Sequence, residues 1–119
     1  MKKRSLLESF SFAINGFVHS VRVERNMKIH VACAAIAISI GLFLRLSGVE
    51  FIFLILAISA VMLAELLNTC IEVAIDHTTN GEKHPNVKIV KDIGAGAVLV
   101  ASVGALIIGL ILFIPKILS

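Results

Sequence analysis

Three long apolar runs, at residues 29–44, 51–75 and 93–114, constrain the fold of this chain more than any other feature. A helical run of about 20 residues matches the hydrocarbon thickness of a bilayer, where other backbone conformations would leave polar groups unsatisfied. The first run provides only about 24 Å of helix, so Lys28 and Arg45 at its ends are expected to snorkel to the interface. Since 58% of all residues are apolar, we predict an all-α membrane protein.

The predicted organisation is a single integral-membrane domain over residues 1–119, with transmembrane segments at 28–46, 51–76 and 92–114. Before the first of these segments, Leu6, Phe10, Phe17 and Val21 recur at helical spacing among polar residues. This pattern predicts an amphipathic helix over residues 5–23, which would lie on the membrane surface rather than cross it.

Basic residues are concentrated in two of the polar segments. The segment before the first span holds six: Lys2, Lys3, Arg4, Arg22, Arg25 and Lys28. The segment between the second and third spans holds three: Lys83, Lys88 and Lys91. The 45–50 loop holds only Arg45 and the C-terminal tail only Lys116. The positive-inside rule therefore predicts a plasma-membrane protein with a cytoplasmic N-terminus, a cytoplasmic 77–92 loop and an external C-terminus. A net charge of +3 is too small an excess to indicate a nucleic-acid partner.

Four polar residues interrupt the second apolar run. Glu65, Asn68, Glu72 and Asp76 are spaced 3, 4 and 4 residues apart, so on a helix they form one stripe about 16 Å long. Each ionisable residue at this depth costs about 2.5–3.5 kcal/mol, so the stripe must face protein, water or a bound ion. Interhelical hydrogen bonding would explain a single asparagine, but it explains three carboxylates poorly.

Two of the carboxylates are predicted to reach a similar depth at the cytoplasmic side. Glu24 lies at the inner end of the first span and Glu72 at the inner end of the second, although Glu24 alone is also compatible with an ordinary interfacial charge. Mg²⁺ bound to a polyphosphate takes one or two carboxylates and completes its shell with water and phosphate. The sequence has no P-loop and no protein-kinase motif set, so a nucleotide would bind to the membrane helices themselves.

Small residues are regularly spaced in the third apolar run. Four of them recur every four positions: Ala97, Ala101, Ala105 and Gly109. Two further glycines, Gly94 and Gly96, lie nearby. A face of this kind lets two membrane helices approach closely, so we predict that the third span packs against a neighbouring helix through it.

Several segments together resemble the small integral-membrane prokaryotic diacylglycerol kinase family: "AELLNTCIEVAID", "EKH" and "KDIGAGAVLV". The similarity extends from Asn15–Gly16 to the end of the chain. "ERNMKIH", "HPNVKIVKDIGAGAVLVAS" and "FIPKI" resemble the Gram-positive branch, whose members act chiefly as undecaprenol kinases. This resemblance implies a homotrimer with active sites formed where helices of neighbouring subunits meet.

The resemblance also implies a role for each matching residue. The catalytic base corresponds to Glu65, which together with Asn68 and Asp76 would contact the lipid substrate. The metal-holding glutamates correspond to Glu24 and Glu72. Contacts to the nucleotide correspond to those two glutamates and to five further residues: Glu82, Lys83, His84, Lys91 and Asp92. The family also uses an arginine and an aromatic residue in the surface helix, where Arg4 is one residue out of register and Phe12 replaces the tyrosine of some members.

The expected reaction transfers phosphate from ATP, with Mg²⁺ as cofactor, to the hydroxyl of a membrane lipid. A carboxylate in a desolvated site can accept the hydroxyl proton, and Glu65 is the deepest acid. Undecaprenol is the expected acceptor and diacylglycerol the alternative. A small transporter or proton-relay bundle would also contain intramembrane acids, but the sequence shows neither the inverted repeats nor the broken helices typical of transporters.

Overall fold

A computed structural model describes residues 4–119, and in that range the chain forms four α-helices. Their bounds are α1, Leu6–Val23; α2, Arg25–Phe43; α3, Gly48–Thr79; and α4, Pro85–Leu118. The last three are long and apolar enough to cross a membrane. The predicted all-α class is therefore confirmed, and the number of helices able to cross a membrane matches the predicted three.

Helix α3 begins and ends at local capping signals. Ser47 and Glu50 form a capping box at its start, in which each side chain accepts a hydrogen bond from the backbone N–H of the other residue. At its end Asn80 adopts a left-handed conformation, with φ of 53°, and Gly81 follows with φ of 75°. The helix consequently extends three residues beyond the predicted 51–76 span at each end.

Helix α4 begins earlier than the predicted 92–114 span because His84 and Pro85 initiate it. Nδ1 of His84 accepts a hydrogen bond from the Asn86 N–H at 3.1 Å, and Pro85 occupies the first turn, where its missing N–H costs little. The connection between α3 and α4 therefore covers only residues 80–84 of the predicted 77–92 loop. At the other end α4 continues through Pro115 to Leu118, since a proline so close to the end removes a single helical hydrogen bond.

Helix α2 lies slightly nearer the N-terminus than the predicted 28–46 span. It starts at Arg25, directly after the extended residue Glu24, and ends at Phe43. Arg45 then takes a positive φ of 58°, which reverses the chain toward α3. The predicted span thus includes residues 44–46, which form the turn rather than the helix.

Helix α3 is the centre of the molecule, with α4 packed antiparallel along it and α2 on another side. Ion pairs join α3 and α4 at both ends, Asp76 to Lys91 at 2.6 Å and Glu50 to Lys116 at 3.3 Å. Between α2, α3 and α4 runs an apolar groove of about 580 Å³. Few side chains are buried and most large apolar ones are exposed, as expected when lipid covers the outer surface.

Helix α1 packs against α2 and against the C-terminal half of α3. The Glu24 N–H donates to the Ser20 carbonyl at 2.9 Å, which ends α1 and starts α2 with one residue between them. A second cavity, of about 360 Å³, lies between α1 and α3. The Arg4 guanidinium lies 4.7 Å from the centre of the Phe12 ring, close enough for a cation–π contact.

Candidate functional site

Glu65 lies on α3 and is almost completely enclosed, with 2% of its surface exposed. Its Oε2 atom makes no hydrogen bond to any residue in the 4–119 range. The neighbouring group is His30 of α2, whose Nε2 lies 3.5 Å from that oxygen. A buried carboxylate with a free oxygen is costly to maintain unless the oxygen has a function, which makes Glu65 the focus of the candidate site.

Asn68 lies one helical turn beyond Glu65 and is also buried. Its Nδ2 donates a hydrogen bond to Glu72 Oε1 at 3.4 Å, so the two side chains hold each other in place along the stripe. Gly94 of α4 packs directly against Asn68, and a Cβ atom at Gly94 would overlap Asn68 Oδ1. The predicted close helix contact therefore forms at Gly94, whereas Ala105 and Gly109 line the groove between α2, α3 and α4.

Asp76, the last member of the stripe, is paired with the start of α4. Lys91 Nζ lies 2.6 Å from Asp76 Oδ1, and on α4 itself Lys88 Nζ lies 2.6 Å from Asp92 Oδ2. All four side chains are at least one-third exposed, so these pairs contribute little stability individually. The Asp76–Lys91 pair holds the first turns of α4, which carry Lys91 and Asp92, against the Asp76 end of the stripe.

Glu24 and Glu72 are both half-buried and lie on different elements. Glu24 occupies the single extended residue between α1 and α2, with φ of −99° and ψ of 117°. The N–H of Glu24 donates to the carbonyl of Ser20, and Ser20 lines the α1–α3 cavity together with Thr69 and Val73 of α3. This packing places Glu24 on the same side of the molecule as the C-terminal half of α3, which carries Glu72.

The donor set fits a magnesium ion that also carries phosphate oxygens. Within residues 4–119 no three His, Cys, Asp or Glu side chains converge into a metal cage made by protein alone. Mg²⁺ does not need such a cage, because one or two carboxylates suffice when waters and phosphate complete its shell. Glu24 and Glu72, as hard oxygen donors, match that requirement.

Glu82, Lys83 and His84 lie in the short connection between α3 and α4 and are exposed. Among the described residues, no hydrogen bond or ion pair joins their side chains to Glu65, Asn68 or Glu72. The structure places them at the end of the bundle where Asp76 and Lys91 meet, which is one rim of the candidate site.

His30 is the neighbour of Glu65 that the sequence analysis did not identify. It follows Lys28 by two residues and interrupts the apolar run of α2, a signal that could have marked it as a partner for an intramembrane acid. The hydroxyls of Ser20 and Thr69 were also missed. Both are buried without a hydrogen-bond partner within the described chain and border the cavity between α1 and α3.

Comparison with known proteins is consistent with this arrangement. Residues 11–113 match the family model described as prokaryotic diacylglycerol kinase. The chain is 40% identical to the undecaprenol kinase of Bacillus subtilis, over 92% of this chain and 88% of that protein. It is 37% identical to the diacylglycerol kinase of Synechocystis sp., over 97% of this chain and 66% of that protein. A diacylglycerol kinase of Pseudomonas aeruginosa is 29% identical over 82% of this chain and 79% of its own length.

The chain belongs to the prokaryotic diacylglycerol kinase family. The predicted resemblance is confirmed, and the protein is a membrane lipid kinase. The alternative of a small transporter or proton-relay bundle is therefore set aside.

Proposed function

We propose that this protein transfers the γ-phosphoryl group of ATP to undecaprenol, forming undecaprenyl phosphate and ADP. The observation that carries the proposal is the buried Glu65, whose Oε2 has no hydrogen bond within residues 4–119, in a chain that is 40% identical to an undecaprenol kinase. An acid at this depth can meet a hydroxyl that is itself held in the membrane. Diacylglycerol, the substrate named for two other relatives, is the alternative acceptor.

In this proposal Glu65 is the general base. It accepts the proton of the lipid hydroxyl as the hydroxyl oxygen attacks the phosphorus atom. Asn68, held by its 3.4 Å contact with Glu72, would orient the acceptor beside Glu65. Because phosphoryl transfer has a loose transition state, alignment of the two substrates contributes more to the rate than deprotonation does.

We assign the metal-holding role to Glu24 and Glu72. A bound Mg²⁺ would neutralise the charge that develops on the transferred phosphoryl group. The nucleotide would be held at the rim formed by the connection and the start of α4, by residues Glu82, Lys83, His84, Lys91 and Asp92. Lys91 would then exchange its exposed 2.6 Å contact with Asp76 for a contact with phosphate.

The apolar groove supports a single-chain acceptor. Its walls, from α2, α3 and α4, are almost entirely hydrocarbon, with His30 as a polar group at the end near Glu65. A polyprenol brings a bare isoprenoid chain, whereas diacylglycerol brings two ester groups that require polar partners or water. A groove with so few hydrogen-bonding groups favours the simpler alcohol.

The acceptor is tested by assaying the purified protein with Mg-ATP and each lipid at matched mole fraction in the same micelles. We expect a higher kcat/KM for undecaprenol than for diacylglycerol. A tenfold or greater preference for diacylglycerol, which corresponds to about 1.4 kcal/mol in transition-state binding, would replace undecaprenol by the alternative.

We further infer a homotrimer in the plasma membrane, with α1 on the cytoplasmic surface. The trimer follows from the resemblance to the family, and the extensive apolar exterior of α2 and α4 leaves room for contacts between subunits. Native mass spectrometry of the purified protein should give three times the monomer mass of 12.8 kDa. A purely monomeric, active preparation would contradict this part of the proposal.

A further inference from the structure

Phosphorylation of a hydroxyl releases a proton, which must leave the site before the next turnover. In the proposed function, on which this inference rests, Glu65 receives that proton. Only 2% of the surface of Glu65 is exposed, so its carboxyl group has almost no direct contact with water. A neighbouring group that accepts this proton would return Glu65 to its anionic form.

His30 is placed to be that group. Its Nε2 lies 3.5 Å from Glu65 Oε2, and among the described residues that oxygen has no competing hydrogen-bond donor. His30 is more accessible than Glu65, with 19% of its side chain exposed, and it lines the groove between α2, α3 and α4. His30 therefore connects the enclosed carboxyl group of Glu65 to the groove.

We propose that His30 acts through Glu65, orienting the carboxylate and removing the proton that it collects. As the lipid O–P bond forms and the O–H bond breaks, the hydroxyl proton passes to Glu65. Glu65 then transfers the proton from Oε2 to Nε2 of a neutral His30 whose other nitrogen, Nδ1, carries the ring hydrogen. The imidazolium releases this proton to water that reaches the polar end of the groove when the phosphorylated product leaves, which restores both groups.

The geometry permits this transfer, and the transfer creates no net charge in the membrane interior. A separation of 3.5 Å is slightly long for a hydrogen bond, and a small rotation of either side chain closes it, as is common for catalytic contacts before substrate binds. Transfer converts a neutral acid and a neutral base into an adjacent ion pair, and neither state carries a net charge. The proton therefore moves without leaving an isolated charge at this depth.

The test compares His30→Gln and His30→Ala. Glutamine retains a hydrogen-bonding group but cannot take up a proton, so His30→Gln should lower kcat by about 10- to 100-fold and leave both KM values near those of the wild type. His30→Ala should lose kcat similarly and regain it when imidazole is added to the assay, because the small base can enter the space left in the groove. A purely structural histidine would not be replaced by free imidazole.

Matched controls separate this inference from the proposed function. His19→Gln changes a histidine that lines the α1–α3 cavity instead, and it should retain the wild-type kcat. Imidazole should not rescue the double variant His30→Ala/Glu65→Gln.

Wild-type kcat in His30→Gln, or a folded His30→Ala that imidazole fails to restore, would overturn the role of His30. If His30→Ala does not fold, the kcat of His30→Gln decides the question. Full activity of Glu65→Gln would instead overturn the proposed function.

Discussion

Glu65 combines two properties that a base acting on a membrane lipid requires. It is enclosed, so its charge is weakly solvated, and one of its oxygens has no hydrogen bond within the described chain. The large majority of buried side-chain polar atoms are hydrogen-bonded to neighbouring groups. The unbonded oxygen of Glu65 therefore supports its proposed role as a base.

Replacement of Glu65 by glutamine keeps its shape and removes the base. We expect Glu65→Gln to lower kcat by at least about 10²-fold, while the KM for ATP stays close to that of the wild type. The matched control is Glu50→Gln at the opposite end of the same helix, where glutamine still satisfies the capping box and activity should persist. Near-normal turnover of Glu65→Gln would remove Glu65 from the catalytic role.

Replacement of either proposed metal ligand should change the magnesium requirement rather than abolish binding of the lipid. Glu72→Gln and Glu24→Gln each remove one charged oxygen donor, so the Mg²⁺ concentration for half-maximal rate should rise. Titrating Mg²⁺ at fixed ATP measures this directly, with the exposed Glu8→Gln of α1 as control. An unchanged Mg²⁺ dependence in both variants would indicate that the two glutamates are structural.

The sequence predicted which acids lie within the membrane, but it did not predict that His30 would be the neighbour of Glu65. Helical spacing places Glu65, Asn68 and Glu72 on one stripe of α3, and the structure has them there. Whether His30 meets that stripe depends on how α2 is rotated about its own axis relative to α3. Since α2 is apolar around most of its circumference, periodicity does not define that rotation.

At the scale of the helices, the contact between α3 and α4 links packing to the site. Small residues along α4 predicted a close approach, and the tightest point is Gly94 against Asn68. Ser47 and His84 determine where α3 and α4 begin, and Asn80 determines where α3 ends. Hydropathy alone could not locate these helix termini. Helix termini depend on local hydrogen bonds that extend past the apolar run.

Gly94→Ala tests this contact. The added Cβ would overlap Asn68 Oδ1, so the Asn68 side chain must rotate and its 3.4 Å contact with Glu72 should be lost. We expect activity to fall by about 10- to 100-fold, as for other small displacements of positioned groups, with little change in thermal stability. Gly96→Ala is the control, because nothing lies within 4 Å of a Cβ at that position. Equal activity of the two variants would contradict the importance of the contact.

At the scale of the whole molecule, the distribution of charge distinguishes the two ends of the bundle. The end that contains Asp76, Lys91 and the 80–84 connection is rich in lysine, whereas the opposite end contains the Glu50–Lys116 pair and Arg45. The candidate nucleotide residues all lie at the lysine-rich end. ATP is cytoplasmic, so the positive-inside rule and the proposed reaction require the same orientation.

This orientation can be measured by labelling single cysteines in sealed right-side-out vesicles with a membrane-impermeant maleimide. The background would be Cys33→Ala/Cys70→Ala, since both native cysteines are free and exposed. We expect His77→Cys, at the inner end of α3, to react only after the vesicles are opened with detergent. Val49→Cys and Ser119→Cys, at the opposite end, should react in intact vesicles.

The two outcomes have different consequences for the mechanism. Labelling of Val49→Cys and Ser119→Cys alone in sealed vesicles places Lys91 and the 80–84 connection where ATP is available. The reverse pattern would place the carboxylate stripe and its lysines on the outer side, away from the nucleotide, and the proposed positions of Glu82, Lys83 and His84 as ATP contacts would then be wrong. Mixed labelling at all three positions would show that the charge difference between the ends is too small to fix the topology.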